Sequence, residues 1–202
     1  MENSRKKKIK IIVITVITLL LIIAGVTIGV GNYFVNYAIA RSGDGGDRQV
    51  KNDMSIAQET EDMIQENKKK TRQQAEEWSE NIASKEVEIT ANDGIKLKGK
   101  EYIVNEENNK WAIILHGYRS TPESVLTIVQ HFSEKDYNVL IPNMRGCGES
   151  EGEYIGMGWL DKDDLQEWIK LIVNQNQNSE IILHGSSMGA ATVLMASGDE
   201  LP

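Results

Sequence analysis

Hydrophobic residues are distributed along this chain in three distinct ways. From Ile11 to Val30 the sequence IIVITVITLLLIIAGVTIGV is apolar all round, interrupted only by Thr and Gly. At 1.5 Å per residue such a helix reaches about 30 Å, the thickness of a bilayer's hydrocarbon core. A soluble core helix of that length normally keeps a polar stripe, and none is present. From Asp53 to about Ser84 the pattern inverts. Gly and Pro are missing, and apolar positions thin out to Ile56, Met63, Ile64, Ala75, Trp78 and Ile82. This predicts a mostly solvated helix that leans on something through Trp78 and Ile82, with Ser55 and Gln58 as a capping box. The Lys68-Lys69-Lys70 run, closely flanked by acids, reads as part of that solvated face. Residues 41–52, RSGDGGDRQVKN, read as a linker.

The third pattern starts near residue 85. Val87, Ile89, Ile95 and Leu97 alternate with polar residues around Asp93-Gly94, which predicts a hairpin with a type I′ turn. Three continuous apolar runs follow, Trp111–Leu115, Tyr137–Ile141 and Ile181–Leu183. Unbroken apolarity marks strands covered on both faces. Helical periodicity lies between them: Val125, Val129 and Phe132 share one face, as do Leu165, Trp168, Ile169 and Ile172. Pro122 suits a first helical turn and Asp161 an N-cap. Strands alternating with helices predict an α/β domain with a mostly parallel sheet and flanking helices.

Charge sharpens this division. Residues 1–10 carry five cations against Glu2, residues 11–40 carry no charge, and the rest carries 17 cations against 29 anions. Cations ahead of an apolar span place the N-terminus in the cytoplasm and everything after residue 40 outside. The expected organisation is a cytoplasmic tail (1–10), a transmembrane anchor (11–31), a linker (32–52), a charged helix (53–84) and an α/β domain (85–202). The chain is thus expected in the cell membrane as a single-pass protein with a signal-anchor. Ala38-Ile39-Ala40 resembles a cleavage site, yet the apolar core is longer than a signal peptide's and ends well before it. An acidic folded part excludes nucleic acid as the expected partner. Cys147 is the sole cysteine, so neither a disulfide framework nor a zinc cluster is available. Asp161, Asp163 and Asp164 are explained by the helix dipole, and no metal or cofactor is expected.

Each buried run ends in a glycine-bearing loop: His116-Gly117-Tyr118, then Asn143 to Ser150, then Gly185-Ser186-Ser187-Met188-Gly189. Open α/β sheets carry their sites at that edge. The last loop fits G-x-S-x-G, between a strand and the helix-forming run 190–196, which is the setting that motif requires. In this order the three loops resemble an alpha/beta hydrolase, specifically the serine aminopeptidase-like or membrane-anchored hydrolases of bacteria, over about residues 85–202. The resemblance implies Ser187 as nucleophile and the backbone N–H groups of Tyr118 and Met188 as oxyanion hole. It implies a small-molecule or peptide substrate with an ester, amide or peptide bond. Asn143 stands where the family usually has Asp, and Cys147 where it often has His or an aromatic residue.

Such a nucleophile needs a base and an orienting acid, which the family places after the serine. Fifteen residues follow Ser187, none of them His, and His116, His131 and His184 are each expected to be structural. Asp199 and Glu200 are assigned no role. The triad is therefore expected to be incomplete. The resemblance implies a central place for the strand 181–183, which a chain ending at Pro202 would leave as a bare edge, so the chain is expected to be the N-terminal portion of a hydrolase, truncated after the elbow helix. Two other readings stand beside the hydrolase: a non-catalytic fragment, or an anchored module that only binds a partner. Cys147 is expected to be a loop thiol without a catalytic part. Trp159 and Met157 fit either a substrate entrance or packing over the sheet.

Overall fold

A computed structural model of the chain describes residues 2–41 and 58–202. The linker and the Ser55–Gln58 capping box fall outside the described residues, apart from the linker's first part and Gln58 itself. Two compact units result, residues 1–40 and 41–202. The first is a single helix, α1 (Glu2–Ile39), whose apolar length suffices to cross a membrane. Its threonines at 15, 18 and 27 return their hydroxyls to carbonyls four residues back, so their polarity is spent within the helix. Tyr33, Phe34 and Tyr37 cluster toward its C-terminal end, and the two tyrosines are the amphipathic residue type that favours a membrane–water interface.

The second unit opens with α2 (Gln58–Asn81). Its first turns are exposed, while Ala75 is fully buried and Trp78 stacks on Tyr102 with ring centroids 5.6 Å apart. Next come β1 (Ser84–Thr90), β2 (Lys96–Tyr102), β3 (Lys110–Leu115), a 3-10 turn (Pro122–Val125) and α3 (Leu126–Ser133). These are followed by β4 (Asn138–Pro142), α4 (Asp161–Gln175), β5 (Glu180–Gly185) and α5 (Met188–Ala196). Along β3, Trp111, Ile113 and Leu115 enter one core with Leu165, Trp168, Ile169 and Ile172 of α4. Ala112 and Ile114 enter the other, with Val125, Leu126 and Val129. Period-two alternation thus feeds two helical layers from one strand.

Four expectations are corrected. The sheet is mixed rather than mostly parallel, in the order β1-β2-β4-β3-β5. β3 pairs in parallel with β4 and β5, but the hairpin β1–β2 is antiparallel and lays β2 antiparallel on β4. Ile182 of β5 is 39% exposed, so this run is not covered on both faces as its unbroken apolarity predicts; among the described residues β5 has the edge position expected of it in this chain. The hairpin turn is not type I′. Gly94 N–H bonds Ala91 O and only Gly94 (φ 89) takes positive φ there, the three-residue loop in which a type I turn is followed by a left-handed glycine. Nor does the domain break off at the elbow. Past Ser187 the chain builds α5, buries Met188, Thr192 and Ala196, packs on α4 and β5, and runs on to Pro202. Helices cover both faces of the sheet.

Candidate functional site

The loops after β3, β4 and β5 meet at one edge of the sheet. Ser187 sits between β5 and α5 with φ 53 and ψ −113, a conformation outside the left-handed well and costly for an L residue. The neighbouring glycines are demanded by contact rather than by torsion. A Cβ on Gly185 would lie 2.2 Å from the carbonyl carbon of Gly189, and one on Gly189 would lie 2.4 Å from Leu115 O. The strand end, the helix start and β3 are therefore in direct backbone contact. Ser186 N–H completes the join by donating to Leu115 O at 3.0 Å. This close packing forces the serine out, and it is exposed.

The expected oxyanion donors lie beside it. Met188 is the first residue of α5, where an N–H has no carbonyl partner within the helix. Gly117, preceding Tyr118, is close enough that a Cβ on it would touch Ser187 Cβ at 3.4 Å. The loop is drawn into a turn by Ser120 N–H donating to Gly117 O, with Arg119 at φ 51 and its guanidinium 5.2 Å from the centre of the Tyr118 ring.

His116 fixes this loop. It is fully buried, and its Nδ1 lies 3.0 Å from Gly117 O, which can only accept, so Nδ1 carries the proton. Its Nε2 accepts Met144 N–H at 3.2 Å. Both nitrogens are therefore spent on backbone, and burial pushes the imidazole's pKa down, holding it neutral. It ties the loop after β3 to the loop after β4. His184 packs on Phe132 with ring centroids 6.0 Å apart, and His131 is an exposed residue of α3.

The loop after β4 is held by a buried guanidinium that the sequence did not advertise. Arg145 donates Nε and Nη2 to Asp164 at 2.9 and 2.7 Å, and Nη1 to Asp93 at 2.5 Å. The partners lie 52 residues before and 19 after it, so spacing gave no signal. Its charge is strengthened by both carboxylates, Asp164 first. Asp161 does not cap α4; Leu160 does, and Asp161 turns outward from the helix start to accept Gly158 N–H at 2.7 Å. Asp163 pairs with Lys162, which also bonds Asp199 at 2.5 Å. The three acids thus diverge to three partners, and no group of metal-ligating side chains forms among the described residues. Burial lifts the Cys147 thiol to about 11, which keeps it protonated. Trp159 and Met157 are 67% and 50% exposed, so neither is core packing.

Known proteins resemble part of this chain. Residues 106–200 match the family described as Serine aminopeptidase, S33. That segment lies in the C-terminal part of this chain, which corrects the expectation that the likeness marks an N-terminal portion. The chain is 33% identical over 106 residues to the Uncharacterized protein YqkD of Bacillus subtilis, covering 52% of this chain and 34% of that protein. It is 29% identical over 127 residues to the Uncharacterized protein YfhR of Escherichia coli K12, covering 60% and 43%. Among solved structures, the esterase Pf2001 of Pyrococcus furiosus is 31% identical with a TM-score of 0.53, covering 56% of this chain and 46% of that one. The chain thus spans less than half the length of these relatives. From the loop after β3 through the elbow helix, it resembles the alpha/beta serine hydrolases.

Proposed function

We propose that the chain is a membrane-anchored serine hydrolase whose Ser187 hydroxyl attacks an ester, amide or peptide carbonyl outside the cytoplasmic membrane. The observation that carries this is the elbow. Ser187 is held at φ 53 by glycine contacts on both sides, with the positive end of α5 behind it. An exposed serine in a costly conformation suits a role that needs its hydroxyl aimed at a carbonyl. In the attack the Ser187 Oγ–carbonyl bond forms as the carbonyl π pair moves to oxygen. The oxyanion is received by the N–H groups of Met188 and Tyr118. Collapse breaks the bond to the leaving oxygen or nitrogen, which takes up the proton lost by Ser187 and departs as alcohol or amine; water then cleaves the Ser187 ester, giving the acid and restoring the hydroxyl.

The proton of Ser187 needs a base, and His116 is not placed to be it, since both ring nitrogens are engaged. α1 serves as the anchor, with the cations of residues 5–10 on the cytoplasmic side. The test is fluorophosphonate labelling of the full chain in membranes, with Ser187→Ala as control. Labelling that vanishes in the variant supports the reading. Absent labelling, or labelling that survives the substitution, overturns it. Protease added to sealed cells or spheroplasts should digest the domain 84–202 and spare the tail if the topology is as proposed.

A further inference from the structure

The loop 156–160 leads into α4 and faces α5, the helix that follows Ser187. Gly158 (φ +86) faces α5, where a Cβ would lie 3.5 Å from Thr192 N and Met195 Sδ and 3.6 Å from Thr192 Oγ1. Lys162 N–H donates to Gly158 O and the Lys162 ammonium lies over the Trp159 ring, and Asp161 adds a buried carboxyl whose Oδ2 takes Gly158 N–H. The same carboxylate lies against Gly156 so closely that a Cβ would approach it within 2.5 Å. Asp161 is 3% exposed, and its Oδ1 is buried without a hydrogen-bond partner.

The groups around it are few. The loop after β4 brings Arg145 and the Cys147 thiol, and α4 brings Asp164. Arg145 spends its donors on Asp164 and on Asp93 of the hairpin turn, and none on Asp161. Lys162 is turned to Asp163 and Asp199. α5 has no titratable side chain, its sequence being MGAATVLMA. We infer that Asp161 is a positioning residue for Ser187, a buried carboxyl latch that holds the 156–160 loop against the elbow helix and loosens when it ionises. The structural half of this stands alone; that it matters to Ser187 rests on the hydrolase reading above.

The physical reason is dehydration. A neutral carboxyl accepts Gly158 N–H at small cost. A carboxylate in the same place keeps one donor and loses its water, so opening the loop to hydrate it becomes favourable. The sign follows from burial, which lifts the carboxyl from 3.8 to about 6. A folded pKa above the unfolded one makes the latch firmest below about pH 4 and progressively weaker as pH rises through 6. Two pH units of separation correspond to about 100-fold in the closing equilibrium.

Hydrogen exchange of the full chain in detergent micelles between pH 5 and 8, corrected for intrinsic rates, reads this directly. Protection of 156–160 should fall by about 10-fold over this range in the wild type, the rest of the loss falling below pH 5. It should stay flat in Asp161→Asn, which keeps an acceptor without a charge, and be low throughout in Asp161→Ala. A wild-type profile that is flat, or that Asp161→Asn shares, overturns the latch without recourse to any other variant. Fluorophosphonate labelling of Ser187, taken as the ratio of wild type to Asp161→Asn, should fall with the same midpoint. Labelling that ignores the loop's profile overturns the link to Ser187. Labelling absent at every pH, with the loop profile intact, sinks the hydrolase reading and leaves the latch.

Discussion

The elbow makes a prediction that can be worked from its torsions. Ser187 holds φ 53 and ψ −113, which costs an L residue about 1–3 kcal/mol. The mirror of this conformation is ordinary extended backbone, so glycine occupies it freely. Replacing Ser187 by Gly relieves the strain, while replacing it by Ala does not. Against the relief stands the larger freedom of glycine in the unfolded chain, about 0.5–1 kcal/mol. The side chain is exposed, so burial changes little. At mid-range the Gly variant should therefore be more stable than the Ala variant by about 1 kcal/mol, equivalent to a Tm gap of roughly 2–4 °C. Urea unfolding followed by tryptophan fluorescence in a fixed micelle measures it, with equal slopes required for the comparison. A Gly variant equal to or weaker than the Ala variant would refute stored strain at the elbow.

Other outcomes follow from the same contacts. Arg145→Leu strips the partner from Asp164, which is 5% exposed. It should cost about 3–5 kcal/mol, and Arg145→Leu with Asp164→Leu should recover part of it, both read by urea unfolding. Gly185→Ala drives a Cβ into the backbone of Gly189. Limited proteolysis should find the elbow cleaved far faster than in the wild type, and unchanged cleavage would count against the close packing. The Cys147 thiol, pushed up to about 11, should react with a disulfide reagent at pH 8 about 100-fold slower in the native chain than in denaturant. Fast native reaction would mean the loop after β4 is open.

Where local pattern decides structure, the residues announced it. The runs in β3 and β4 and the period of α4 follow directly from how strands and helices bury one face or two. The setting of Ser187 was likewise readable, because G-x-S-x-G between strand and helix answers to a steric need at Gly185 and Gly189. What escaped reading depends on distant partners. Nothing local tells β2 to pair antiparallel with β4 about forty residues away. Asp93 looked like half of a type I′ turn, yet its carboxylate is drawn to Arg145. Asp161 has the composition of an N-cap, but turns its oxygen to Gly158 and buries itself. The apolarity of β5 spoke for a strand covered on both faces, yet Ile182 is left half open, because apolarity alone does not record which layer comes to lie over a strand.

His116 carries a lesson for anyone who scans this chain by alanine replacement. It sits beside the candidate nucleophile, and of the three histidines it is the one a chemist would suspect first. Its ring is nonetheless a bracket between two loops, with one nitrogen giving to Gly117 and the other taking from Met144. Truncating it releases the loop that carries Tyr118, so the chemistry proposed for Ser187 would collapse for architectural reasons. The resulting dead variant would look like the loss of a general base. Kinetics alone would enrol the wrong residue in the mechanism; only the loosened main chain at Gly117 and Met144 would reveal that a support had been removed.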